Sequence, residues 1–162
     1  MQKSRIEWTD YTLNPIKGLC PVDCKDNQGK SYCYARRMYK RFKWNPEIRF
    51  YGVVNLGREL NQISKPSKIF VSSTMELFGE WINPEWLKII LYAAKLYSQH
   101  TFIFLTKCPQ NLPHEWPRNC HVGVSVTNQH QYEDAIKYLK QVNAIVKFLS
   151  IEPLLEHIDV DG

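Results

Sequence analysis

The fold is decided by residues 68–106, which read KIFVSSTMELFGEWINPEWLKIILYAAKLYSQHTFIFLT. The two ends of this stretch, 68–73 and 101–106, are short apolar runs that predict buried strands. Between them, Asn83 is a good helix N-cap and Pro84 suits the first helical position, so a helix is predicted to about residue 98. Apolar strands separated by a helix predict a parallel sheet that is covered by helices.

The same alternation extends in both directions from this unit. The further predicted elements are a strand over 11–16, a helix over 31–43, an irregular proline-containing stretch after residue 106, a strand over 121–126, a helix over 129–141 and a strand over 144–151. With about thirty residues per strand and helix, the chain holds about five βα units. We therefore expect one α/β domain that spans residues 1–162.

The overall composition is that of an ordinary globular protein, with 44% hydrophobic and 23% charged residues. No apolar run reaches the roughly 18–20 residues that a membrane span needs. The first residues also lack the apolar core of a secretory signal. We expect a cytoplasmic protein without a membrane partner.

Polar residues follow the predicted strands, at the edge where parallel α/β proteins bind ligands. They are Ser72, Ser73, Thr74 and Glu76 after one strand, Lys107 after the next, Ser125, Thr127 and Asn128 after the third, and Glu152 after the last. Turn formation and helix capping are the alternative roles at such positions. For Thr127 and Asn128, capping of the following helix is as good an interpretation as ligand contact.

Three of the five cysteines lie close together near the N-terminus. Cys20, Cys24 and Cys33 have the spacing C-x3-C-x8-C, and such clustering without a secretory signal favours metal binding over disulfides. A closed zinc site needs four ligands, and no fourth cysteine or histidine lies nearby. Three thiolates suit a four-iron cluster with one open iron better. A zinc site completed from a distance and unligated cysteines are the alternatives, and Cys108 and Cys120 are interpreted as free thiols.

A strongly basic stretch follows the cysteines and carries much of the net charge of +5. Its basic residues are Lys30, Arg36, Arg37, Lys40, Arg41, Lys43 and Arg49, and five aromatic residues interleave with them (Tyr32, Tyr34, Tyr39, Phe42 and Trp44). Base stacking beside phosphate contacts uses this composition, which makes nucleic acid a candidate partner. An amphipathic helix with a solvated basic face explains the pattern equally well.

The cysteine loop resembles the signature of the radical S-adenosylmethionine superfamily, in which three cysteines are spaced C-x3-C-x2-C with an aromatic residue before the third. Cys20, Cys24, Tyr32 and Cys33 match that signature in type and order. Further blocks are similar to a phage-associated three-cysteine family of unknown substrate within this superfamily, namely 6–15, 33–35, 77–80, 105–107, 123–128 and 150–155.

This sequence departs from the family pattern at two places. Residues 25–30 form a polar insertion of six residues between the second and third cysteines. The family pattern would also continue beyond Gly162 into a further strand and helix. The resemblance therefore implies a partial (β/α) barrel in which a sixth unit is missing.

The resemblance also implies two cofactors, a [4Fe-4S] cluster and S-adenosylmethionine. Cys20, Cys24 and Cys33 would hold three irons, and a reductant protein such as a flavodoxin or ferredoxin would supply the electron that generates a 5′-deoxyadenosyl radical. The segment Ser72 to Glu76 would contact the methionine amino group, and Lys107 would neutralise a carboxylate. Ser125, Thr127 and Asn128 would hold the ribose or the carboxylate, and Glu152 would bind ribose hydroxyls or the substrate.

The substrate is not identified by the sequence, although a nucleic acid or nucleotide is suggested by Arg36, Arg37, Lys40, Arg41 and Lys43 among the aromatic residues. Two alternatives remain. One is a non-catalytic nucleic-acid-binding protein that holds zinc or a cluster. The other is a partner subunit that keeps the fold without turnover.

Overall fold

The computed structural model describes residues 1–160 and is built around a six-stranded sheet. The strands are β1 (Gln2–Lys3), β2 (Tyr11–Leu13), β3 (Ile16–Lys17), β4 (Arg49–Phe50), β5 (Lys68–Val71), β6 (Thr101–Thr106), β7 (Cys120–Val126) and β8 (Val146–Ile151). The helices are α1 (Tyr34–Phe42), α2 (Val53–Asn61), α3 (Pro84–Leu96) and α4 (Gln129–Leu139), with a 3-10 turn at Pro109–Asn111. The end of the predicted domain, Asp161 and Gly162, lies outside the described residues.

The main sheet has the order β1-β2-β5-β6-β7-β8. Strands β2, β5, β6, β7 and β8 are parallel to one another, and only the short edge strand β1 is antiparallel. The predicted α/β fold on a parallel sheet is confirmed. Because parallel strands end at one edge, the residues that follow β2, β5, β6, β7 and β8 share that edge.

Alternate residues of the strands face opposite sides of the sheet. One set, which includes Val71, Phe104 and Val124, is fully buried. It forms a continuous core with Leu56 and Leu60 of α2, Ile90 and Ala94 of α3, and Ala135 and Leu139 of α4. The other set includes Phe70, Leu105, Ser125 and Ser150, which line a cavity on the opposite side of the sheet.

Helix α3 begins as its sequence predicts. The side chain of Asn83 accepts a hydrogen bond from the Glu85 amide at 2.9 Å, and Pro84 occupies the first helical position, where no amide donor is needed. The helix ends at Leu96, close to the predicted end.

The first predicted strand, 11–16, is divided in the structure. Residues Tyr11–Leu13 belong to the main sheet, whereas Ile16–Lys17 pairs with β4 in a separate two-stranded sheet. Pro15 lies between them and has no amide hydrogen for a sheet ladder. Helix α1 begins at Tyr34 rather than at residue 31, because Ser31 pairs with Lys25 in an antiparallel bridge. Helix α2 was not predicted.

No helix within residues 1–160 has the length and apolar character needed to cross a membrane.

Candidate cofactor site at the carboxyl edge of the sheet

A cavity of about 1030 Å³ lies at the carboxyl ends of the parallel strands. This volume lies at the upper end of the usual range for ligand pockets, roughly 300–1,000 Å³. The cavity therefore has room for a cofactor and a second molecule. Its lining includes ten of the twelve residues that the sequence singled out: Cys20, Cys24, Cys33, Ser72, Ser73, Thr74, Glu76, Lys107, Ser125 and Glu152.

The three cysteines of the N-terminal loop are free thiols that line this one cavity. The six-residue insertion does not separate them, because it folds as a hairpin. The Tyr32 amide donates to the Cys24 carbonyl at 2.9 Å, and Lys25 pairs with Ser31. The two ends of the insertion therefore lie next to each other, and Cys33 lies beside Cys24.

Asp26 stabilises the turn of this hairpin. Its Oδ1 accepts hydrogen bonds from the amides of Gln28 at 3.0 Å and Lys30 at 2.9 Å, and its carbonyl accepts one from Gly29. At the tip, Asn27 Nδ2 donates to the Leu155 carbonyl at 2.9 Å. The insertion therefore connects the cysteine loop with the segment that follows β8.

The thiol of Cys33 is placed to lose its proton easily. It accepts hydrogen bonds from the Cys24 thiol and from the Arg36 amide, the latter at 3.5 Å, so that Cys33 is the N-cap of α1. The Cys24 hydrogen bond, with the helix amides, lowers the pKa of Cys33 to about 5 and raises the pKa of Cys24. Burial raises the pKa of Cys20, whose Sγ accepts from the Glu76 amide at 3.3 Å.

Three thiols that are surrounded by backbone amides and an arginine suit an anionic, thiolate-bound cluster, because these groups stabilise negative charge. Arg36 lies beside these thiols and helps to lower the pKa of Cys33: its Nη2 donates to the Cys20 carbonyl at 3.1 Å, and its charge is partly offset by Asp23 Oδ1, 3.4 Å from its Nε. No three His, Cys, Asp or Glu side chains within residues 1–160 converge closely enough to hold a single metal ion. The fit to a cluster therefore rests on the chemistry of the three thiols.

In the segment after β5, Ser72 combines a strained backbone conformation with a buried hydroxyl. Ser72 has φ of 60°, which is unusual for a residue other than glycine, and its buried Oγ has no hydrogen-bond partner among residues 1–160. Its neighbours are anchored by Asn14, whose Oδ1 accepts from Ser73 Oγ at 3.2 Å and from the Thr74 amide at 3.3 Å. A buried donor without a partner in a cavity wall fits a polar ligand.

Glu76 is held rigidly by the end of β6. Its Oε1 accepts from the Phe78 amide at 3.1 Å and from Thr106 Oγ1 at 2.6 Å, and its Oε2 accepts from the Lys107 amide at 2.7 Å. A carboxylate has about four acceptor positions. One position on Oε2 therefore remains for a ligand, while the exposed Lys107 side chain also lines the cavity.

Thr127 and Asn128 are the two predicted site residues that do not line the cavity. Asn128 caps α4, because its Oδ1 accepts from the Gln131 amide at 2.9 Å. The Thr127 amide and hydroxyl both donate to Gln131 Oε1, at 2.8 and 3.0 Å. These contacts are those of the capping role that the sequence also allowed.

Several lining residues were missed by the sequence analysis: Lys3, Arg5, Trp8, Asn14 and Ser150. Asn14 and Ser150 could have been found, since both lie at the carboxyl ends of parallel strands. Lys3, Arg5 and Trp8 had no such signal. They reach the cavity only because the short strand β1 pairs antiparallel with β2.

The basic residues of α1 divide into two groups. Arg36 belongs to the cysteine loop through its contacts there. Arg37, Lys40, Arg41 and Lys43 are exposed, as are Phe42 and Trp44 beside them. The rings of Phe42 and Trp44 stack at 5.3 Å between centroids, and Arg41 lies 5.3 Å above the Phe42 ring. We call these six exposed residues the α1 surface.

The other two cysteines are free thiols, as predicted. Cys120, the first residue of β7, is fully buried in the core, and Cys108, two residues after the end of β6, is half-buried. Neither lines the cavity.

The fold is shared with solved structures of spore photoproduct lyase. A cysteine-to-serine variant is 14% identical with a TM-score of 0.66, and the match covers 94% of this chain and 48% of that one. A variant with bound AdoMet (S-adenosylmethionine) and dinucleoside spore photoproduct is 13% identical with a TM-score of 0.66, covering 92% and 47%. The complex with dinucleoside spore photoproduct is 15% identical with a TM-score of 0.67, covering 96% and 49%.

At this identity the likeness establishes a common fold, and this chain spans about half the length of those structures. No curated protein sequence matches the chain. The family model described as "Protein of unknown function (DUF5131)" matches residues 3–162, and the chain belongs to that family.

Proposed function

We propose that this chain is a radical S-adenosylmethionine enzyme. The observation that carries the proposal is the meeting of two groups in one cavity: the three free thiols of the cysteine loop and the polar segment Ser72 to Glu76. The sequence resemblance to the radical S-adenosylmethionine superfamily supports the same assignment. So does the shared fold with a spore photoproduct lyase structure that holds AdoMet.

When bound, a reduced four-iron cluster would supply the electron that cleaves S-adenosylmethionine to methionine and a hydrogen-abstracting 5′-deoxyadenosyl radical. Cys20, Cys24 and Cys33 hold the cluster. The amides of Arg36 and Glu76, which already donate to two of the sulfurs, stabilise its negative charge. The electron comes from a reductant protein of the flavodoxin or ferredoxin kind.

The residues of the opposite wall bind and orient S-adenosylmethionine. Glu76 Oε2 accepts a hydrogen bond from the methionine ammonium at its remaining position, and Ser72 Oγ gains the partner that it lacks. Lys107 neutralises the carboxylate. Ser125 and Glu152 lie at the ends of neighbouring strands and bind ribose hydroxyls.

Anaerobic reconstitution with iron and sulfide tests this proposal. The protein should gain iron, sulfide and the visible absorbance of a cluster, and the reduced protein should release 5′-deoxyadenosine from S-adenosylmethionine. Replacing Cys20, Cys24 or Cys33 with alanine should abolish both. Cys108→Ala is the matched control, because this half-buried cysteine does not line the cavity, and it should keep both.

The outcomes separate the competing functions. A colourless protein that binds zinc contradicts the enzyme and supports the zinc-binding alternative. A protein that holds a cluster but forms no 5′-deoxyadenosine contradicts turnover and supports a partner subunit.

We further propose that the substrate is a nucleic acid or a nucleotide, and that the α1 surface binds the phosphate backbone. The four exposed cations lie beside two stacked, exposed rings, which is a composition suited to single strands. Binding of a single-stranded oligonucleotide should therefore weaken with salt. Lys40→Ala and Arg37→Ala should each reduce the slope of log K against log salt by about 0.7, whereas Lys95→Ala on α3 should not. Equal slopes in all variants contradict this role for the surface.

A further inference from the structure

The N-terminal arm, residues 2–8, contributes to the cavity a group of side chains that the proposed cofactor chemistry does not use. The arm is held in place by its own hydrogen bonds. The Ser4 amide donates to the Asp10 carbonyl at 2.8 Å, and Ser4 Oγ accepts from the Ile6 amide at 3.0 Å and from Thr9 Oγ1 at 2.7 Å. The arm is thus a built wall of the cavity.

Trp8 lies on this wall in a supported but open position. Its ring lies 5.2 Å from Phe70 and 6.5 Å from Phe148, between centroids, yet 42% of the residue stays exposed. Gly123 makes room for this arrangement, because a Cβ at that position would lie 2.3 Å from Phe148 Cζ. An indole that is backed by two rings and still lines a cavity offers a face for stacking.

The position of Trp8 separates it from the proposed S-adenosylmethionine site. Phe70 lies within β5, two residues before Ser72, and Phe148 lies within β8, two residues before Ser150. The indole therefore lies deeper in the partial barrel than the polar strand ends, where the hydroxyls and Glu76 are.

Two cations of the arm lie close to this indole in sequence and line the same cavity. Lys3 and Arg5 are exposed, and within residues 1–160 neither forms an ion pair. Two cations without ion pairs in the same cavity as an open aromatic face are complementary to a planar group that carries a phosphate.

We propose that Trp8, Lys3 and Arg5 form a nucleotide subsite within the cavity. The indole stacks on the base, and the two cations bind the phosphate. This inference rests on the proposed function in one respect: the nucleotide held here is the substrate, or the part of a nucleic-acid substrate that enters the cavity.

Calorimetric titration of the reconstituted protein, saturated with S-adenosylmethionine, tests the subsite with three probes. Uridine 5′-monophosphate has a base and a phosphate, uridine lacks the phosphate, and ribose 5-phosphate lacks the base. The monophosphate should bind more tightly than either part. Trp8→Ala should weaken the monophosphate and uridine about tenfold, since stacking contributes that much per base, and leave ribose 5-phosphate unchanged.

Arg5→Ala and Lys3→Ala should show the complementary pattern, with weaker monophosphate and ribose 5-phosphate and unchanged uridine. Trp8→Phe should retain most of the affinity. It also keeps the test valid if the alanine variant fails to fold. Tyr92→Ala and Lys95→Ala on α3 are matched controls, because both residues are exposed and neither lines the cavity.

The same variants are titrated with S-adenosylmethionine. If Trp8→Ala weakens S-adenosylmethionine and leaves the monophosphate unchanged, the indole serves the cofactor and the inference is overturned. The inference is also overturned if every variant binds each of the three probes with the affinity of the unchanged protein. Cluster content and 5′-deoxyadenosine formation are read separately, so a failed subsite and a failed enzyme assignment give different results.

Discussion

Among the single residues of the site, Cys33 is the cysteine whose thiol ionises most readily. Hydrogen bonds from Cys24 and the α1 amides lower its pKa to about 5, whereas the pKa values of Cys20 and Cys24 are raised. Since the thiolate is the reactive form, iodoacetamide at about pH 6 should alkylate Cys33 first in metal-free protein. Below pH 5 the Cys33 thiol gains its proton, and the reaction should slow. Peptide mass spectrometry measures the order, and equal labelling of Cys24 would contradict it.

In the proposed site, Ser72 is the residue at which we expect ligand binding and protein stability to be opposed. Its buried hydroxyl has no hydrogen-bond partner among the described residues, and leaving such a group unpaired costs about 1–3 kcal/mol. Ser72→Ala should therefore raise the free energy of unfolding of the metal-free protein by about 1 kcal/mol while weakening S-adenosylmethionine binding to the reconstituted protein. Urea unfolding and calorimetry measure the two effects. Ser98→Ala, at an exposed position just after the end of α3, should change neither. A Ser72 variant that is less stable would mean that the hydroxyl is not an unpaired group.

At the scale of elements, the insertion hairpin is separable from the cysteine site. Residues 25–30 form a hairpin whose two ends lie next to each other, between Cys24 and Ser31. Their deletion therefore restores the spacing C-x2-C without moving the loop ends apart. The deletion variant should bind as much iron per chain as the full protein after reconstitution. Iron and sulfide analysis measures this, with Cys24→Ala as the negative control. Loss of the cluster in the deletion variant would show that the hairpin itself positions the thiols.

The elements that the sequence predicted well are those whose local signals agree with their burial. Strands β5 to β7 are continuous apolar runs, and α3 has its cap and proline in place. Helix α2 escaped prediction because it begins with the β-branched pair Val53 and Val54 after Gly52, has no side-chain cap and buries only Leu56 and Leu60. Its formation depends on tertiary packing, which local patterns do not record.

The candidate site was predictable to the extent that it lies on strand ends. The rule that ligands bind there found the Ser72 to Glu76 segment, Lys107, Ser125 and Glu152. It could not distinguish Thr127 from these, because a strand end and a helix start coincide there. It also could not find Trp8, whose place in the cavity depends on long-range contacts with Phe70 and Phe148.

At the scale of the whole molecule, a buried histidine makes stability depend on pH. His100 is 1% exposed, and neither ring nitrogen has a hydrogen-bond partner in the part of the chain that the structure describes. Burial lowers its pKa below the ordinary value of 6.5. The unfolded chain therefore binds more protons below about pH 6.5, so the free energy of unfolding should fall as the pH decreases through this range.

Urea unfolding of metal-free protein at about pH 7.5 and pH 5.5 measures this dependence. In His100→Leu, the decrease in the free energy of unfolding should be smaller than in the unchanged protein. Burial also lowers the pKa of His121. Because both proteins contain His121, its contribution to the pH dependence cancels in the comparison. An equal decrease in the two proteins would show that His100 is not responsible.

The hydrogen bond between Asn27 and Leu155 joins parts of the chain that are 128 positions apart. Leu155 is also tied to the end of β7, because its amide donates to the Thr127 carbonyl at 3.1 Å. Together these two bonds tether the hairpin of the cysteine loop to the end of β7 and to the segment that follows β8, whose residues Glu152 and Pro153 line the cavity. Breaking the tether, as in Asn27→Ala, should let small molecules enter and leave sooner, so their residence times shorten while the interior that receives them keeps its shape.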